Sequence, residues 1–155
     1  MTQDESTETS PPEKVIELRL PSRLGYERVA MDAASSLAKR MGFQRERIDA
    51  LKTAVSEAVT NAIEHGNQHD EAMKVMVFLT ARDDELVIDV VDRGQRTIDR
   101  NREVKTPDIR DKMLDNVDRG GWGFWLIQEL MDEVEVSVAP SGGNQVRMVI
   151  HLEQG

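Results

Sequence analysis

The sequence predicts an α+β fold: a two-layer sandwich of antiparallel strands with helices on one face. Three observations predict it. Five segments alternate apolar and polar residues with the two-residue period of a half-buried strand, and three others repeat apolar residues at helical spacing. Four of the strands come as adjacent pairs, 73–80 with 85–92 and 133–139 with 145–152, so strands and helices do not alternate strictly.

The elements follow in chain order. Residues 1–13 contain four acids, no base and two prolines, a composition that predicts a disordered tail. Domain structure is expected from 14 to 155. In KVIELRL, Ile16, Leu18 and Leu20 alternate with Glu17 and Arg19 as in a strand. Pro21 and Ser22 stop it and can open a helix, whose apolar positions are Ala30, Ala33, Ala34, Leu37 and Met41. Gly42 is placed to cap that helix at its C-terminus. A second helix is predicted over about 44–64, with Ile48, Leu51, Val55, Ala58, Val59 and Ala62 as its apolar stripe and Gly66 as its end. Strands 73–80 and 85–92 flank the polar turn ARDD and read as a hairpin. The run GGWGFWLIQELM predicts a third helix, and the turn PSGGN joins the last two strands.

Residues 93–119 carry neither period. A stretch of 27 residues without secondary structure is uncommon in a compact domain and is usually functional or disordered. It holds eight bases and six acids, a local charge of +2 in a chain of −9. A basic loop in an acidic protein suits an anionic ligand such as a polyphosphate.

Composition narrows the function. The net charge of −9 argues against duplex nucleic acid and against an anionic membrane surface as partners. The absence of cysteine excludes disulfides, thiol catalysis and thiolate-bound zinc, and points to a reducing, cytoplasmic setting. The polar start does not read as a signal peptide, and no apolar run approaches the roughly 20 residues of a membrane span.

Three features could carry chemistry. Glu57 and Asn61 lie four apart, so they project from one helix face, with Glu64 three further on. An amide carbonyl beside carboxylates is a hard oxygen set suited to Mg²⁺; a solvated helix face is the plainer reading. Asp92 closes an apolar strand before Arg93-Gly94, where its carboxylate could accept a hydrogen bond from an exocyclic amine; a strand-ending turn accounts for it equally. Gly121-Trp122-Gly123 opens a helix, where free N–H groups can meet phosphate, although a lone G-x-G is a weak signal. The P-loop, full dinucleotide-binding and H-R-D/D-F-G kinase patterns are all missing. His65 and His69 are four apart, but Gly66 between them breaks the helical spacing a metal pair needs.

Taken in order, LKTAVSEAVTNAIEHGN (51–67), VVDRG (90–94) and RGGWGFWLIQELMDEVEV (119–136) resemble the bacterial anti-sigma-factor serine/threonine-protein kinases of the sporulation and general-stress type. These belong to the wider ATPase superfamily of gyrase, Hsp90-type chaperones, sensor histidine kinases and MutL-type repair proteins. The resemblance spans about residues 14–152. It implies the histidine-kinase-like ATPase sandwich, with a mixed, mostly antiparallel sheet and a mobile ATP lid over about 95–119. It implies ATP and Mg²⁺ as cofactors. By the same resemblance Glu57 is the acid that orients or deprotonates the attacking hydroxyl, and Asn61 is the Mg²⁺ ligand. Asp92 reads the adenine amino group with Gly94 beside it. Gly121 and Gly123 form the second glycine box, with Phe124 following in the nucleotide site, and Arg119 points toward the γ-phosphate.

Two positions depart from the family pattern. D-x-G-x-G is often found after the adenine strand, and here its last position is Arg96. The last hairpin often carries Gly-Thr, and here it reads Gly143-Asn144-Gln145. Both imply an altered affinity for ATP. The implied activity is phosphorylation of a Ser or Thr on an anti-sigma-factor antagonist, together with sequestration of a sigma factor by a homodimer. The alternative is a nucleotide-binding regulator that sequesters its partner without kinase activity. A sensor histidine kinase domain fits less well, because only about 13 residues precede the first strand and no phosphoacceptor hairpin is present.

Overall fold

A computed structural model describes residues 13–94 and 119–153, with side chains of the second segment from Gly123 onward. Residues 1–12 of the expected tail and 95–118 of the expected lid lie outside the described residues. The elements are β1 (Lys14–Leu20), α1 (Glu27–Met41), α2 (Arg45–Asn61), a π-helical turn (Ala62–Gly66), β2 (Val75–Ala81), β3 (Glu85–Val91), α3 (Arg119–Leu130), β4 (Glu133–Val138) and β5 (Asn144–His151).

The five strands form one sheet in the order β1-β2-β3-β5-β4. Every hydrogen-bonded pair is antiparallel. The mixed character that the family implies is therefore not seen as a parallel pair among the described residues. β3 and β4 do run the same way, but β5 lies between them.

Alternation builds the core. Leu86, Ile88 and Val90 of β3 sit in register with Ile150, Met148 and Val146 of β5, and all six are buried on the helix-facing side. Val75, Val77 and Leu79 of β2 continue that surface. Above it, all six residues of the expected stripe are buried, Ile48 to Val59 in α2 and Ala62 in the π turn. Ala30, Ala34 and Ala38 of α1 are fully buried, and small residues at that spacing let one helix approach another closely. Ile127 of α3 and Met131 just beyond it complete the layer.

The ends of elements differ from the sequence reading. Gly42 does cap α1, with φ at +97° and its N–H shared between the carbonyls of Ala38 and Lys39. Ser22 does not open that helix. It is fully buried, and its hydroxyl donates to the carbonyl of Met73 while the helix starts five residues later. The helical period past Asn61 continues as one π turn, in which the Asn67 N–H reaches back to the Ala62 carbonyl at 2.8 Å. A π turn adds a residue to the ladder and re-aims the side chains that follow. The strands agree with expectation to within two residues.

Candidate functional site

The last turns of α2 carry Glu57 and Asn61 one turn apart, both half-buried. They face Gly123 of α3. A Cβ on Gly123 would lie 2.8 Å from Asn61 Nδ2 and 3.1 Å from Glu57 Oε1, so only glycine lets α3 come this close. Asn61 Nδ2 is buried and has no hydrogen-bond partner among the described residues. A buried amide without a partner is costly. The amide can rotate to present its oxygen instead, which together with the Glu57 carboxylate makes an oxygen donor set of the kind Mg²⁺ takes. The residues present thus fit a hard divalent cation.

Beyond Asn61 the π turn brings Gly66 against Asp92, which follows the end of β3. Asp92 is buried, and its Oδ1 accepts three hydrogen bonds: from the N–H of Gly94 at 3.0 Å, the N–H of Asn144 at 3.1 Å and Asn144 Nδ2 at 3.4 Å. Its own N–H donates to the Asn144 carbonyl at 2.9 Å. Burial raises the Asp92 carboxyl above its ordinary range, and the hydrogen bonds from Asn144 and Gly94 oppose that rise. With Oδ1 saturated, Oδ2 is the atom left to meet a donor on a ligand.

Three glycines pack tightly at the Asp92 corner. A Cβ at Gly66 would overlap the Asp92 carboxylate, one at Gly143 would overlap the Asp92 carbonyl, and one at Gly94 would overlap the carbonyl of Gly66. Asn67 braces the same corner. It is buried, its Oδ1 accepts the Arg93 N–H at 2.8 Å, and its Nδ2 donates to Ser22 Oγ at 2.9 Å and to the Met73 carbonyl at 3.2 Å.

The structure therefore sets Gly123 against Glu57 and Asn61, and Gly66 against Asp92 and Gly94, with the π turn joining the two groups into one wall. Gly121 lies in the first turn of α3, and Phe124 packs half-buried against the core. Arg119 is the first residue of α3, and its side chain lies outside the described residues, as do Arg96 and the lid. Sequence reasoning missed Ser22, Gly66 as a contact of Asp92, Asn67 and Gly143. It marked Asn144 only as a departure, whereas Asn144 supplies two of the three bonds to Asp92 Oδ1. The one available signal was the Gly-Gly-Asn of the last turn. His65 lies in the π turn and His69 has a left-handed backbone, with φ at +61°, so the two are not held at helical spacing.

Comparison with known proteins places the whole chain. The family model described as a histidine kinase-like ATPase domain matches residues 20–150. The serine-protein kinase RsbW of Oceanobacillus iheyensis is 33% identical over 123 residues, covering 79% of this chain and 78% of that protein. The RsbW of Bacillus pumilus is 37% identical, covering 79% and 77%. The anti-sigma F factor of Oceanobacillus iheyensis is 35% identical over 130 residues, covering 83% and 86%. Among solved structures, a Mycobacterium tuberculosis chain holding RsbU and RsbW domains superposes with a TM-score of 0.65 at 20% identity, over 93% of this chain and 34% of that one. At that identity the likeness speaks for the fold alone. The chain belongs to the histidine kinase-like ATPase domain family, in the group of serine-protein kinases and anti-sigma factors.

Proposed function

We propose that the protein is an ATP-dependent serine/threonine kinase and anti-sigma factor, acting in the cytoplasm on an anti-sigma-factor antagonist and holding a sigma factor as a homodimer. The observation that carries this reading is the wall from Gly123 through Glu57 and Asn61 to Asp92, in a chain whose relatives are serine-protein kinases and an anti-sigma factor. No helix among the described residues is long and apolar enough to cross a membrane.

In this reading Asp92 Oδ2 accepts the adenine amino group, and Gly94 closes the turn beside it. Phe124 and the backbone of Gly121 and Gly123 flank the phosphates at the start of α3. Arg119 faces the γ-phosphate, as the family resemblance implies. Glu57 holds the attacking hydroxyl and takes its proton as the serine oxygen bonds to the γ-phosphorus and the bond to the bridging oxygen breaks, releasing ADP. Asn61, with the Glu57 charge beside it, would hold Mg²⁺, which would neutralise charge on the phosphates. Positioning of this kind, rather than covalent chemistry by the protein, accounts for most phosphoryl-transfer catalysis. A new phosphate at a docking surface would then release the antagonist by repulsion and desolvation.

Labelled ATP and a candidate antagonist test the reading. Wild type should yield phosphoserine or phosphothreonine on the antagonist, and Glu57→Ala should lower the transfer rate by about 100-fold or more while ATP still binds. Asn61→Ala should weaken ATP binding only when magnesium is present. ATP binding without transfer by wild type would favour the nucleotide-dependent sequestering regulator.

A further inference from the structure

A second cluster of ligating side chains lies at the far end of the sheet, on the face away from the helices. Glu85 of β3 and His151 of β5 are direct register partners, and Glu133 of β4 stands opposite Val149, one pleat along on the same face. His151 Nε2 is 2.9 Å from Glu133 Oε2 and 3.6 Å from Glu85 Oε1. The three ligand atoms all lie within 4.8 Å of one another. In a tetrahedral zinc site with bonds near 2.0 Å, neighbouring ligand atoms are about 3.3 Å apart, and the two imidazole–carboxylate distances bracket that value.

We propose that Glu85, Glu133 and His151 form a site for one zinc-class divalent cation, with water completing its shell. Contacts outside the trio hold the ligands in place. Arg82 Nη1 binds the other oxygen of Glu85 at 2.9 Å, which leaves Oε1 turned toward His151. The main chain of His151 is fixed on both sides. Its N–H donates to Asp132 Oδ2 at 2.7 Å, and its carbonyl accepts from Arg47 Nη2 at 2.8 Å. Partners that orient the ligands in this way strengthen metal sites. The Glu133 and His151 side chains are 61% and 49% exposed, so an ion can enter without displacing packed groups. One imidazole with two carboxylates selects zinc, nickel or copper over magnesium, which separates this site from the nucleotide wall. Seven residues of β3, roughly 23 Å at strand rise, also separate Glu85 from Asp92. A bound ion would tie together β3, β5 and β4, which here share ladder bonds and ion pairs. The inference stands independently of the kinase reading.

Isothermal titration of the full chain with zinc chloride in nucleotide-free buffer tests it, with Co²⁺ absorption reporting the geometry. One saturable zinc site in the micromolar range is expected, with no matching heat from magnesium chloride. His151→Ala and Glu133→Gln should each weaken zinc binding at least about tenfold. His69→Ala should leave it unchanged. Equal affinity in wild type and His151→Ala, loss of the site in His69→Ala, or no saturable zinc heat in wild type would each overturn the proposal. Glu133 is an exposed side chain, so Glu133→Gln decides the matter if the metal-free melting curve of His151→Ala departs from wild type.

Discussion

At the scale of single residues, Asp92 is held ionisable in a place that disfavours its charge. Its pKa is raised by burial, so folding favours the protonated form. The stability that protonation contributes is present below the ordinary carboxylate range and is lost as pH rises through the raised value. In its ionised form the carboxylate is thus a load on the fold, retained for its acceptor atom. Asp92→Asn keeps an oxygen for the three donors and removes the charge. Its melting temperature at pH 7 should equal or exceed that of wild type, by scanning fluorimetry. ATP affinity should fall about 10- to 100-fold in a calorimetric titration, the loss expected for a hydrogen bond to a charged group. Asp92 itself was legible in the sequence, because an acid ending an apolar strand before Gly stands out. Asn67 and Gly143 were not, since each acts through a contact with a residue 26 or more positions away that no local period encodes.

At the scale of elements, α2 does two jobs from opposite faces. One face is core: Leu51, Val55 and Val59 are fully buried. Leu51→Ala should cost about 2–5 kcal/mol of unfolding free energy in urea titration, the range for a buried leucine truncated in a packed core. The other face holds Glu57 and Asn61 against α3. Gly123→Ala should fold, because the obstacle is the flexible ends of two side chains rather than backbone, yet ATP binding should drop at least about tenfold as those ends shift. The stripes of α1 and α2, the hairpins and the Gly42 cap were all readable from spacing alone. The π turn was not. It ends at Gly66, packed against Asp92, and the helical period of the sequence runs through it unchanged.

At the scale of the whole molecule, the helix layer is tied to the sheet edge by polar links as well as by its core. Arg47, near the start of α2, pairs with Asp132 at 2.7 Å ahead of β4 and caps the carbonyl that ends β5. Burial pushes the Asp132 carboxyl up, but the hydrogen bonds from the His151 N–H and from Arg47, with the charges of both residues, outweigh it and hold the pKa below the usual range. The linked stability is therefore present above the ordinary carboxylate range and is lost as pH falls through the lowered value. Arg47→Ala should melt below wild type at pH 7, and the two curves should converge in acid, as followed by circular dichroism. The effect should be modest because the pair is partly exposed.

The enclosure of Asp92 also bears on how freely this chain can vary. Gly66, Gly94 and Gly143 are scattered along the polypeptide, yet each would drive its first side-chain carbon into an atom of Asp92 or of Gly66 beside it. No neighbouring change can make room, because two of the three obstacles are main-chain carbonyls. In a randomised library screened for nucleotide retention, these three codons should stay fixed together while the strand positions between them drift.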